Sequence, residues 1–164
     1  MSVQIVRPGA LPASFGALRD AAKAEGYDFL DRLGARWDGQ AYLDDGDASV
    51  FGVFADGILI AIGAQTFDEH DPAPDRRRMR HFYVRPDARR SGVGRALAGA
   101  LIQQAFALAP RLHLRATHDL SRSFWEAMGF ARVAHLTRTH ALERDAEAFP
   151  APRPPAMLRR PAEQ

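Results

Sequence analysis

Not one of the 164 residues is cysteine, and that absence removes several chemistries at once. There is no disulfide framework to trace, no thiolate nucleophile and no Cys-ligated zinc site. A chain without cysteine also suits a reducing cytoplasm, where we expect this one to work. Lysine is nearly as scarce: Lys23 is the single lysine among 22 basic residues. Apolar runs are short, and none reaches the roughly 20 residues that a membrane helix needs. The opening MSVQIVRPGALP lacks the basic-then-apolar layout of a secretory leader. The basic surplus is small too. A net charge of +2 is a weak nucleic-acid footprint despite a pI near 9.5. Arg153, Arg159 and Arg160 fall in the C-terminal stretch, which leaves the body nearly neutral. Neither a membrane nor a nucleic-acid partner is expected.

What is present describes one α/β domain with an ordinary core, 46% hydrophobic and 26% charged. Val3 to Arg7 reads as a strand stopped by Pro8-Gly9. Phe15, Leu18, Ala21 and Ala22 keep helical spacing from Ala13 to Glu25, where Gly26 ends the run. A second helix is expected over Asp28 to Gln40, before the polar turn DDGD at 44–47. The period then changes to two. Val50 to Phe54 and Ile58 to Phe67 flank Asp56-Gly57, a strong hairpin signal. The loop DEHDPAPD (68–75) leads to a strand over Arg78 to Val84. A helix then runs to Leu108, with Val93, Leu97, Leu101, Ala105 and Leu108 on one face. Leu112 to Arg115 reads as a strand, and Leu120 to Met128 as a helix with Asp119 as N-cap and Gly129 at C′. Short strands over Ala131 to Ala134 and Thr137 to Leu142 close a domain of residues 1–143. The proline-rich stretch 144–164 has no period and is expected to pack poorly.

The informative stretch is VRPDARRSGVGRAL (84–97), where a strand breaks into a glycine loop that opens a helix. Amides at a helix start have no intrahelical partner, and the dipole adds partial positive charge, so the loop suits a phosphate. A tight turn with solvated arginines is the other reading of the loop taken alone. Two nucleotide motifs fail here. A dinucleotide fingerprint needs a third glycine where Leu97 stands, and an acidic residue about 20 positions on. A P-loop needs a Gly-Lys-Ser/Thr end, which is missing.

The pattern Arg-x-x-Gly-x-Gly after aromatic-Val-x-Pro, within HFYVRPDARRSGVGRAL (81–97), resembles the acyl-CoA-binding motif of the GNAT superfamily of N-acetyltransferases. SRSFWEAMGF (121–130) resembles its next block, and the element order from Val3 to Leu142 is similar. The resemblance implies a GNAT-like mixed, mostly antiparallel sheet flanked by helices, around a central strand–loop–helix–strand unit. It implies acetyl-CoA as cosubstrate, with no metal, and a small-molecule amine as acceptor. It also leaves room for a homodimer. Carried over residue by residue, it implies that Arg89, Arg90, Ser91, Gly92, Val93 and Gly94 hold the pyrophosphate, with Arg95 as an extra charge. The strand before the loop would be splayed from its neighbour by a bulge, so that its last residues, Phe82, Tyr83 and Val84, line the pantetheine arm and the Val84 amide polarises the thioester carbonyl. Phe124 and Ser121 would flank the arm from the other side.

Three positions depart from the family pattern. His118 stands where the family usually has Asn. Trp125 replaces the Tyr that often protonates the leaving thiolate, and packing against Phe130 is its expected role. Arg80 replaces a Glu that often serves as base. By strand alternation Arg80 shares a face with Arg78 and Phe82, while His81 points to the other face. Arginine can instead dock a substrate carboxylate. Glu69 and His70 are the nearest candidate bases, in a loop read as solvated. The aspartates 28, 31, 38, 44, 45 and 47 enrich the expected acceptor wall. A non-catalytic acyl-CoA-binding module is the alternative function.

Overall fold

The computed structural model describes residues 2–41 and 45–145. Asp44 and nearly all of the proline-rich stretch therefore lie outside the described residues. In chain order the elements are β1 (Val3–Val6), α1 (Phe15–Ala24), α2 (Phe29–Asp38), β2 (Ser49–Ala55), β3 (Ile58–Phe67) and β4 (Arg76–Val84). A short 3₁₀ turn at Pro86–Ala88 leads to α3 (Val93–Leu108), β5 (Arg111–Leu114), α4 (Asp119–Ala127), β6 (Ala131–Arg132) and β7 (His140–Glu143). The seven strands form one sheet in the order β1-β2-β3-β4-β5-β7-β6. Every pairing is antiparallel except β4 with β5, which α3 connects.

Local chemistry accounts for most boundaries. Asp56 and Gly57 both take positive φ, 49° and 81°, as the two-residue turn between β2 and β3 requires. Gly26 (φ 90°) and Gly129 (φ 102°) end their helices in the left-handed region. Other expectations shift. β4 begins at Arg76 rather than Arg78, because Arg76 and Arg77 pair with β5. The last two strands are shorter than their patterns, ending at Arg132 and starting at His140, with one more bond from Val133 N to Thr139 O at 2.9 Å. His118, not Asp119, is the N-cap of α4, and its side chain makes no cap bond. Leu108 turns out exposed at the last turn of α3, whereas Val93, Leu97, Leu101 and Ala105 are buried.

The sheet divides two apolar cores. α3 and α4 cover one face with Leu97, Leu101, Phe106, Met79, Trp125 and Phe130. α1 and α2 cover the other with Phe15, Leu18, Leu30, Leu33, Ile62 and Tyr83. Burying side chains of this size stabilises by roughly 1.5–3 kcal/mol each.

One irregularity positions the site. Ile62 pairs with Tyr83 and Ala64 with Arg80, so Gly63 faces both His81 and Phe82. His81 adopts φ 54° at this bulge. A Cβ on Gly63 would lie 2.8 Å from both Phe82 and Leu101, so only glycine lets the Phe82 ring settle there. The extra residue resets the alternation. Arg80 faces the α1/α2 layer, while Phe82 and Val84 pack toward α3 and Tyr83 toward α1 and α2. Arg80 and Phe82 thus lie on opposite faces, contrary to the expectation from a regular strand.

Candidate active site

β4 and β5 pair only from Arg76↔Arg111 to Arg78↔His113. Beyond that point β5 stays with β7, through Leu114↔His140, and β4 runs on without it. Arg85 N donates to Ile60 O at 2.9 Å, which makes that pair the hydrogen-bonded one. Antiparallel pairs alternate, so at Val84↔Ala61 both backbone groups of Val84 point away from β3. They point into the gap that β5 has left. The Val84 carbonyl is taken by Arg89 Nε at 2.9 Å.

The glycine loop lies at the mouth of that gap. Gly92 is the N-cap of α3 with φ 84°, a conformation that costs an L side chain about 1–2 kcal/mol. The first intrahelical bond runs from Ala96 N to Gly92 O, so the amides of Val93, Gly94 and Arg95 precede the ladder. Gly94 has a steric reason instead: a Cβ there would lie 3.3 Å from Val84 and 3.5 Å from Phe124. Its bareness brings the helix start, the end of β4 and α4 together. Ser91 Oγ donates back to Ala88 O at 2.5 Å and tightens the loop. Arg90, in positive φ, and Arg95 are exposed beside it. Phe82 stacks on Phe124 at 5.4 Å between ring centres and meets Trp125 at 4.8 Å. Trp125 is buried and meets Phe130 edge-on at 5.3 Å, the packing role expected of it. Ser121 lies half-buried in the first turn of α4.

Arg89 is engaged on the protein itself. Its two terminal nitrogens donate to the two carboxylate oxygens of Glu25, at 2.9 and 2.7 Å. Tyr83 OH donates to the same carboxylate at 2.5 Å. The bonds from Arg89 hold the Glu25 carboxyl below its ordinary range against the cost of partial burial. Burial, with the Glu25 carboxylate next, pushes the Tyr83 phenol up, so it stays neutral. Around this group Tyr27 meets His118 at 5.1 Å, Phe29 at 5.6 Å and Tyr83 at 6.4 Å. The α1–α2 connection thereby touches the turn after β5 across the gap.

In the acidic loop before β4, Glu69 and His70 are exposed, as expected, but its carboxylates are engaged with basic side chains. Asp68 is fully buried, 3.0 Å from His113 Nδ1 and 3.6 Å from Arg78. Asp71 binds Arg76 and Arg138. Glu69 receives two bonds from Arg36, at 2.9 and 3.0 Å, and lies 3.1 Å from Arg80. Burial raises the Glu69 carboxyl, but Arg36 and Arg80 outweigh it and hold the group low. Arg80 also donates to Thr66 Oγ1 at 2.9 Å, and the His70 ring lies 3.6 Å from Glu69. Asp45 is likewise engaged, with buried Arg77 and the Phe67 amide. Burial, then the nearby Arg80, Arg36 and Arg32, drives His81 down to about 3, so its imidazole is neutral. The hollow beside Ser2, Gln4, Val6 and Phe54 lies at the opposite sheet edge, far from this chemistry. Among the described residues no group of three or more His, Asp or Glu is arranged to hold a metal, and no helix is long and apolar enough to cross a membrane.

Comparison with known proteins agrees with this geometry. An acetyltransferase structure from Exiguobacterium sp. 255-15, so assigned, is 25% identical with TM-score 0.79 and covers 90% of this chain and 97% of its own. An acetyltransferase from Streptococcus agalactiae shares the fold at 14% identity, TM-score 0.70, covering 87% and 98%. The ribosomal-protein-S18-alanine N-acetyltransferase of Escherichia coli does so at 17%, TM-score 0.60, covering 85% and 90%. A comparison with curated proteins found no match. The fold and these likenesses define an acyltransferase. The profile described as Acetyltransferase (GNAT) family matches residues 16–130, and the chain belongs to that family, whose members typically use acyl-CoA.

Proposed function

We propose that this protein transfers an acetyl group from acetyl-CoA to the primary amine of a small molecule, by direct attack with both substrates bound. The observation that carries the reading is the Val84 amide, aimed into the β4–β5 gap beside the uncapped amides of Val93, Gly94 and Arg95. Gly92 and Gly94 fit a pyrophosphate, since neither presents a side chain between ligand and backbone. CoA supplies a thioester, an acyl group already activated toward an amine. The chain supplies the rest. The α3 start with Ser91, Arg90 and Arg95 holds the phosphates. Phe82, Phe124 and Ser121 flank the arm, and the Val84 N–H polarises the carbonyl oxygen as negative charge develops on it. Holding both reactants in line contributes as much as about 7–11 kcal/mol in favourable cases.

Of the candidate bases, His70 has the better chemistry. Glu69 is clamped by two arginines and steadies the His70 ring rather than taking the proton itself. An acceptor carboxylate would have to displace Glu69 from Arg80, so the acceptor we propose carries an amine without an adjacent acid group. A second reading, an acyl-CoA-binding module without transfer, draws on Trp125, which is packed in the core and supplies no acidic hydroxyl. Titration with acetyl-CoA, then thiol release against an amine panel, separates the two: binding with no release supports the module. Val84→Pro deletes a single N–H that makes no ladder bond. It should lower kcat about 100- to 1000-fold while acetyl-CoA still binds. Unchanged turnover in a folded Val84→Pro variant would remove that amide from the mechanism.

A further inference from the structure

We infer that Arg89, together with Glu25, is a positioning pair that fixes the Val84 peptide, and is not a ligand of the donor's phosphates. The inference rests on the acyl-transfer reading for its kinetic consequences and on geometry for its existence. Glu25 is the residue that caps the end of α1, and Arg89 lies on the glycine loop. One guanidinium spans from the Val84 carbonyl, through Nε at 2.9 Å, to both oxygens of Glu25 at 2.9 and 2.7 Å. A bidentate fork of this kind sets direction as well as distance. Tyr83, the residue before Val84, is bound to the same carboxylate through its hydroxyl and lies with its ring 5.5 Å from the Arg89 guanidinium carbon.

The consequence follows from the alternation of β4. The N–H and C=O of Val84 both project into the gap on the side where no strand holds them. In a regular sheet a neighbouring strand would fix that edge; here Arg89 takes that place at the carbonyl. The N–H and C=O of Val84 belong to successive peptide planes, so holding the carbonyl, with Tyr83 anchored on the other side, restrains the amide through the φ and ψ of Val84. Because Glu25 belongs to α1, the wall facing the acceptor is bolted to the peptide facing the donor. The charged and titratable groups around the pair are Glu25 from α1, Tyr27 from the α1–α2 connection, Tyr83 from β4 and Arg89 itself. Tyr27 in turn touches His118, which closes the ring of contacts across the gap.

A phosphate ligand and a positioning residue respond differently when Glu25 is neutralised. Glu25→Gln releases the Arg89 charge. If Arg89 served phosphate, acetyl-CoA would then bind more tightly. As a positioning pair, Glu25→Gln and Arg89→Gln should each lower kcat tenfold or more, with the acetyl-CoA dissociation constant within twofold of wild type. Arg89→Lys, which keeps the charge but loses the fork, should remain impaired. In the ligand-free protein the double Gln variant should lower the unfolding midpoint by clearly less than the sum of the two single variants, since each single change already removes the shared Arg89–Glu25 bonds. Arg89→Gln weakening acetyl-CoA tenfold, with Arg89→Lys restoring it, would overturn the inference; additive effects on stability would do the same. If wild type releases no thiol with any amine, the transfer reading fails, and the titration and the stability cycle still decide the pair.

Discussion

At its start β4 is paired on both sides and its arginines are engaged with neighbouring polar groups. Arg76 binds Asp71 and Asp75, Arg77 binds Gln65, and Arg78 binds Thr137 and lies beside buried Asp68. At its end, past the bulge at His81, β4 has β3 on one side and a gap on the other, and Val84 projects two backbone groups into it. The same residue types, arginine against carboxylate, thus do two jobs on one strand. Near Arg78 they are buried and lock the sheet; near Val84 they are at the surface and hold one peptide beside an opening. Charge therefore does not mark the site. What marks it is where the ladder stops and a backbone donor is left facing space.

The largest effect should come from breaking the closed end. Asp68→Ala leaves Arg78 and His113 buried beside a missing carboxylate, and should destabilise by about 3–5 kcal/mol in urea unfolding. A loss under 1 kcal/mol would mean that this end is held by packing alone. Acid should act on the bulge between the two ends. His81 is held at about 3, below its unfolded value of about 6.5, so its stabilising contribution is complete above 6.5 and is lost as pH falls toward 3. Between those values one such group gives a slope of up to about 1.4 kcal/mol per pH unit. Burial lowers His113 in the same sense. His81→Asn, which tolerates positive φ, should flatten the acid limb of a stability–pH curve, and an unchanged limb would remove His81 from it.

Smaller effects are expected at the open end. Gly94→Trp should weaken acetyl-CoA at least tenfold, about 1.4 kcal/mol, in a titration, while far-UV circular dichroism stays that of wild type. Retained affinity would move the phosphate site away from this loop. Gly92→Ala meets open space but an unfavourable φ, and should cost about 1 kcal/mol in thermal unfolding with only a minor change in acetyl-CoA affinity. If Gly92→Ala proved more damaging to binding than Gly94→Trp, the steric and conformational roles assigned to the two glycines would be reversed.

The element order, the Asp56-Gly57 hairpin, the glycine terminators of the helices and the Trp125–Phe130 packing were all legible along the chain. Each depends on residues within a few positions of one another. The position of the opening on β4 was legible as well, through the glycine loop that follows it. Glu25 was not, because its partners Tyr83 and Arg89 lie 58 and 64 residues away and no local spacing connects them. The resemblance implied a bulge on this strand but not its place at His81, which arises from Gly63 on the neighbouring strand and the Phe82 ring laid over it. That bulge turned Arg80 away from Phe82, and the tertiary fold likewise buried Asp68 at the head of a loop whose Glu69 and His70 stay exposed. The family resemblance, the elements and the glycine loop could be read along the chain, because hydrophobic period, turn residues and a helix start are local physics. Which carboxylate each arginine meets, and which way the Val84 amide points, came with folding alone, because ion pairs and sheet register are set by distant segments that meet only then.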